Sequence, residues 1–180
     1  MLKIYSDREP VLRQKCSDIE LPISDEYKNI AKEMITHLKQ SQDPEYSKKH
    51  NIRAGIGLAA PQIGLSKRIF AILMEDDDDI HRELVLANPK IMERSIKMCY
   101  LTGGEGCLSV NDEHNGLIRR NYKIKIKGYN LLEDKEVLLE AKGYFAIALQ
   151  HEYDHLDGIL FYDRINPFDP FKVMPNDVEV

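Results

Sequence analysis

The sequence predicts an α+β fold: mostly antiparallel strands packed around a central buried helix that carries an H-E-x-x-H motif, plus an N-terminal amphipathic helix. Three observations predict it. An apolar stripe at helical spacing occupies residues 25–40, short alternating or apolar runs fill the middle, and a run from Gly143 is apolar nearly all round before turning polar. No internal repeat or low-complexity tract divides the 180 residues. One domain over 1–180 is expected, with 166–180 as a proline-rich tail.

The first helix is expected from Asp25 to Gln40, where Tyr27, Ile30, Ala31, Met34, Ile35 and Leu38 share one face. Ser24 or Asp25 supplies a side-chain oxygen that could cap it. The polar stretch Ser41–Arg53 reads as a surface loop. Arg68–Met74 is an apolar strand closed by the acid run Asp76–Asp79, read as a loop tip. Leu84–Ala87 and Lys90–Glu93 read as two short strands separated by Asn88-Pro89, because proline cannot donate to a ladder. Tyr122, Ile124 and Ile126 alternate with Lys123, Lys125 and Lys127, the period of a half-buried strand. Lys135–Glu140 is its expected partner across a turn at Asn130–Asp134. A second helix is expected between Gly143 and Gly158, the latter suited to a left-handed terminus. Pro167, Pro170 and Pro175 prevent a long helix in the tail.

Composition narrows the function classes. Hydrophobic residues are 43% and charged residues 31%, a globular balance, and the net charge is −5. A mildly acidic chain lacks the basic surface that general nucleic-acid binding rests on. The longest apolar runs fall far short of the roughly 20 residues of a membrane span, and no secretory h-region is visible at the start. Three unevenly spaced cysteines make no disulfide framework. The expectation is a cytoplasmic enzyme or binding domain with no membrane or specific nucleic-acid partner.

The chemistry concentrates at His151-Glu152-Tyr153-Asp154-His155. On a helix, positions i and i+4 stand one turn apart on one face, so both imidazoles can bind one ion while Glu152 reaches a bound water. In a 180-residue chain with 6 histidines, chance produces this pattern about 0.016 times. A catalytic site of this type takes three protein ligands and leaves one position open. The metzincin pattern would place a third His at Phe161. The only Glu after His155 is Glu179, in the frayed tail, and Asp157 and Asp163 belong to no metal motif. The third ligand is therefore expected upstream. Cys107 supplies a thiolate within Gly103-Gly104-Glu105-Gly106-Cys107-Leu108-Ser109, where Gly106 allows close backbone approach. Cys16 and Cys99 read as small buried hydrophobes. Gly55–Gly64 is rich in glycine and alanine but lacks the lysine of a phosphate loop.

Together the stretches Gly55–Gln62, Glu105–Ser109 and His151–His155 resemble peptide deformylase, whose hallmarks are G-Φ-G-Φ-A-A-x-Q, E-G-C-Φ-S and H-E-Φ-D-H. All fixed positions match in order, and Tyr153 is a mild departure at the Φ of the third motif. The segments Gln40–Asn51, Glu75–Glu83 and Val110–Gly116 are similar to the insertion-bearing branch found in Gram-positive bacteria and mycoplasmas. The short tail departs from members that carry a long C-terminal helix, which removes the basis for ribosome docking through one.

The resemblance implies removal of the formyl group from N-formylmethionine on nascent peptides, with formate released. It implies one divalent ion on Cys107, His151 and His155, Glu152 as general base and acid, and Gln62 with the Leu108 backbone N–H as donors to the formyl oxygen. Glu105 would orient or charge-pair within the site. Ile56, Tyr144, Ile147 and Ala148 are candidates for the methionine pocket, Ile56 and Gly57 offer backbone to a peptide added as a strand, and Gly106 is a further substrate-binding candidate. The donor set alone suggests zinc. The family suggests Fe2+ in the cell, replaced by Zn2+, Ni2+ or Co2+ in purified protein. A monomer with only transient ribosome proximity is expected. Three rivals are a zinc peptidase on the same helix, a structural metal domain closed by His114 as fourth ligand, and a nucleic-acid face of Lys123, Lys125 and Lys127.

Overall fold

A computed structural model describes residues 2–180. Its central sheet has five antiparallel strands in the order β1 (Gly57–Ala59), β2 (Ile69–Glu75), β3 (His81–Arg94), β6 (Lys123–Asn130) and β7 (Lys135–Lys142). β2 explains why its sequence is continuously apolar. Phe70, Ile72 and Met74 face a cluster containing Phe145, Ala146 and Leu149 of helix α3 (Gly143–His155). Ile69, Ala71 and Leu73 face the opposite cluster, with Ala31, Met34, Ile35 and Leu38 of α1 (Asp25–Gln42). A strand covered on both sides has no polar face to show, so alternation is lost and only the apolar run remains.

A second sheet holds β5 (Arg120–Asn121), β4 (Met98–Tyr100) and β8 (Val178–Glu179) in that order, and its β4–β8 pairing is parallel. Glu179 is therefore not frayed. Its carboxylate accepts from Thr102 Oγ1 at 2.8 Å, and Val180 N–H donates to Tyr100 O at 3.0 Å.

Three local expectations need correction. Ser41–Arg53 is not a loop throughout: α2 occupies Pro44–His50. Asp43 accepts from the Glu45 and Tyr46 amides, Pro44 stands in the first turn, and Asn51 closes the helix in the left-handed region. With no buried residue it has no apolar stripe for a periodicity search to find, although Asp-Pro is a recognised start signal. Ser24 occupies the cap position of α1, yet neither it nor Asp25 caps through its side chain. Finally, Asn88-Pro89 does not divide two strands. β3 runs through it with a register shift between Ala87 and Lys90, Asn88 at φ 49°. A bulge absorbs the missing donor while Asn88 holds Ile19 through both amide atoms at 2.8 Å.

Among the described residues, no helix is long and apolar enough to cross a membrane.

Candidate active site

Residues from β1, the Leu101–Val110 loop and α3 line one cavity of about 310 Å³. Its wall includes Ile56, Gly57, Gln62, Glu105, Gly106, Cys107, Leu108, Tyr144, Ile147, Ala148, His151 and Glu152, so the residues singled out in the sequence meet here, although 43 positions separate Gln62 from Glu105. Arg53, Ala54 and Leu101 also line it and were not anticipated.

Two imidazoles and a thiol converge at its floor. The ligand-type atoms of Cys107, His151 and His155 all lie within 4.8 Å of one another, and Cys107 Sγ is 3.3 Å from His155 Nε2. Helix geometry supplies the His pair, their rings 5.1 Å apart. The thiol comes from the loop after β4, which Arg53 fastens by donating to the Cys107, Leu108 and Val110 carbonyls at 2.6–3.1 Å. His155 is buried, and burial moves its pKa well below 6.5. Two imidazoles and one sulfur form a donor set of the kind that holds a divalent transition ion.

Glu105 orients the other ring. His151 Nδ1 donates to Glu105 Oε2 at 2.8 Å, leaving Nε2 for the cavity. Arg120 donates to both oxygens of the same carboxylate and to Asp154 Oδ2 at 2.9 Å. Burial would raise the Glu105 pKa, but the Arg120 charge and hydrogen bonds, followed by His151, bring it down to about 2. Arg164 adds a second cation on Asp154. Arg120, Asp154 and Arg164 are parts that motif reading left without a role. Arg120 lies in an Arg-Arg pair far from any motif, and only its burial among carboxylates distinguishes it.

Glu152 is the counter-example, a carboxylate with no direct ion pair among the described residues. It is 5% exposed and its Oε2 has no hydrogen-bond partner among the described residues. Burial raises its pKa to about 7, outweighing the pull of His151 and Arg120. Gly57 makes the room, because a Cβ there would overlap the Glu152 side chain. At Gly106, by contrast, a Cβ would meet nothing within 4 Å. Gln62 bridges the site: its Oε1 accepts from Ala59 N–H at 2.7 Å, while Nε2 faces Ser109 Oγ at 3.1 Å and Cys107 Sγ at 3.4 Å.

Other candidates are engaged elsewhere. Asp157 pairs with Arg68 at 2.7 Å, and Asp163 pairs with Arg13 and accepts from Leu160 N–H. His114 stacks on Tyr162 with ring centres 4.0 Å apart. Tyr153 lies under the Arg68 guanidinium, 5.0 Å from it, which accounts for an aromatic at that motif position. Lys123 and Lys125 pair with Glu140 and Glu93.

A family model described as polypeptide deformylase matches residues 1–171. The chain is 47% identical over 173 residues to the peptide deformylase of Halalkalibacterium halodurans, covering 96% of this chain and 94% of that one. Peptide deformylase 2 of Geobacillus stearothermophilus gives the same identity and coverage. The crystal structure of peptide deformylase from Thermus thermophilus superposes with a TM-score of 0.74 at 34% identity, over 92% of this chain and 86% of that one.

Proposed function

The chain belongs to the peptide deformylase family, hydrolases that remove the N-formyl group from nascent polypeptides, and on that footing we propose how its own residues carry the reaction. The substrate is a new polypeptide that begins with formylmethionine. Water attacks the formyl carbon, the C–N bond breaks, and formate and a free amino terminus result.

One observation carries this reading: a thiol and two imidazoles within 4.8 Å, beside a buried carboxylate with an unpartnered oxygen. Cys107, His151 and His155 would hold a single divalent ion, which when bound would polarise the formyl carbonyl and lower the pKa of water toward about 7. The ion is Fe2+ in the cell, and Zn2+, Ni2+ or Co2+ can replace it in purified protein. Glu152, with a carboxyl pKa raised to about 7, takes a proton from the attacking water and returns it to the departing amine. Gln62 Nε2 and the Leu108 backbone N–H donate to the formyl oxygen as charge develops there. Glu105, held by Arg120, fixes the His151 ring.

The methionine side chain enters the wall formed by Ile56, Tyr144, Ile147 and Ala148. The peptide runs along the Ile56–Gly57 backbone and past Gly106 as an added strand, so main chain is read and later sequence left free. In this reading α3 is the central helix of one catalytic domain, and the N-terminal amphipathic helix α1 braces the sheet from its far side. The enzyme works as a cytoplasmic monomer in transient proximity to the ribosome, and binds neither membrane nor specific nucleic acid.

The test compares formate release from formyl-Met-Ala with acetyl-Met-Ala and unblocked Met-Ala. Formate from the first substrate alone is expected. Peptide-bond cleavage without formate would overturn the reading in favour of a peptidase.

A further inference from the structure

Helix α3 carries the reactive residues, yet its own N-cap, Lys142, makes no side-chain cap, and no acidic residue stands in its first turn. The orphan amides at that end must find acceptors elsewhere. The Gly143 amide donates to Tyr122 O at 2.9 Å, and the Tyr144 amide finds its acceptor in the β2–β3 hairpin tip, more than sixty residues upstream. Asp77 Oδ2 accepts from the Tyr144 backbone N–H at 2.9 Å. The same carboxylate fills the space a Cβ of residue 143 would need, and Gly143 adopts φ +55°, so glycine is demanded twice over.

The neighbouring acids reinforce the grip. Asp78 pairs with Lys142 at 3.1 Å. Asp76 accepts from the Asp78 and Ile80 amides, closing the tip on itself, and pairs with Arg82 at 2.6 Å. The Arg82 guanidinium in turn lies over the Phe145 ring at 4.8 Å. Three consecutive carboxylates thus fasten residues 142–145, one directly on the backbone. Tyr144, whose amide is held, is also the cavity-lining residue of that first turn; Asp77 itself does not line the cavity.

We propose that Asp77 is a positioning residue for selectivity: by capping α3 at the Tyr144 amide, the acidic hairpin tip sets where the Tyr144 ring stands and so which first side chain a formyl peptide can carry. The proposal rests on the deformylase reading and adds a specificity determinant outside the pocket. Freed from Asp77, the first turn frays and the wall recedes from a long side chain. A short side chain that never reached the wall is unaffected.

The experiment uses the metal-loaded full chain with formyl-Met-Ala and formyl-Ala-Ala. Asp77→Ala is expected to lower kcat/KM for formyl-Met-Ala by about 5-fold, the scale of one lost cap, through KM, while formyl-Ala-Ala changes less than about 2-fold. Asp77→Asn, which keeps an acceptor oxygen, should restore the ratio. In a Tyr144→Ala background, Asp77→Ala should leave the ratio where it is. Bound metal should be equal in all variants. An unchanged substrate ratio in Asp77→Ala, or an equal loss for both substrates, overturns the proposal. Amide hydrogen exchange at Tyr144 reads the tether without turnover: faster exchange in Asp77→Ala supports it, and unchanged protection overturns it. Absence of formate release by the unaltered chain would instead overturn the deformylase reading, a separately recognisable result.

Discussion

Glu105 and Glu152 are both buried carboxylates near His151, but their environments drive them apart. Glu105 meets the Arg120 fork and a ring nitrogen, and its pKa falls to about 2; Glu152 meets no donor at Oε2, and its pKa rises to about 7. One is a fixed anion suited to orienting a histidine. The other can hold and release a proton near neutrality. On that division of labour, Glu152→Ala retains the metal while kcat falls by about 10²–10⁴. Metal content by elemental analysis and formate release measured on the same sample decide it; a metal-loaded variant of near-normal kcat would remove Glu152 from the proton path. Both glutamates could be picked out by motif. Their opposite charge states could not, because Arg120 reaches Glu105 only through the fold.

Elements differ in how openly the sequence declares them. β6 and β7 pair residue for residue from Lys123↔Lys142 to Asn130↔Lys135, as the alternation Lys-Ile-Lys-Ile-Lys implies when one face is buried. α1 declares itself through its stripe, whose inner residues Ala31, Met34, Ile35 and Leu38 are all buried. α2 is silent on this scale, being held by its ends. Asp43→Ala should therefore cost about 1 kcal/mol by removing the acceptor of two first-turn amides. Urea unfolding should show a lower midpoint at unchanged slope, and an unmoved midpoint would mean that the cap contributes nothing to global stability.

The whole molecule is a helix–sheet–helix sandwich with a second small sheet at its side, and burial at this scale has a pH signature. His37 on α1 is 2% exposed, and neither ring nitrogen has a partner among the described residues. Burial lowers its pKa from 6.5. The folded chain therefore refuses a proton that the unfolded chain accepts. This contribution is complete above pH 6.5 and is lost as pH falls from there toward the folded-state value. Stability should drop across that window with a slope of at most about 1.4 kcal/mol per pH unit from this residue. Comparison with His37→Leu isolates it: the gap between the two denaturant midpoints should be constant above pH 6.5, change across the window, and level off below it. Parallel curves throughout would show that His37 stays protonated or finds water.

What the chain determines by itself is local and periodic: the α1 stripe, the β6–β7 alternation, and the register that sets His151 and His155 one turn apart with Glu152 between them. These follow from helix and strand geometry acting on neighbours in sequence. The Cys107 sulfur could be nominated but not located, since its distance from His155 depends on how a loop after β4 meets a helix after β7. Arg120 beneath Glu105, Asp77 on the Tyr144 amide and Glu179 in a strand belong wholly to the tertiary structure. Charges and hydrogen bonds act through space, and their strength depends on burial and on partners brought from far along the chain, neither of which a one-dimensional pattern contains.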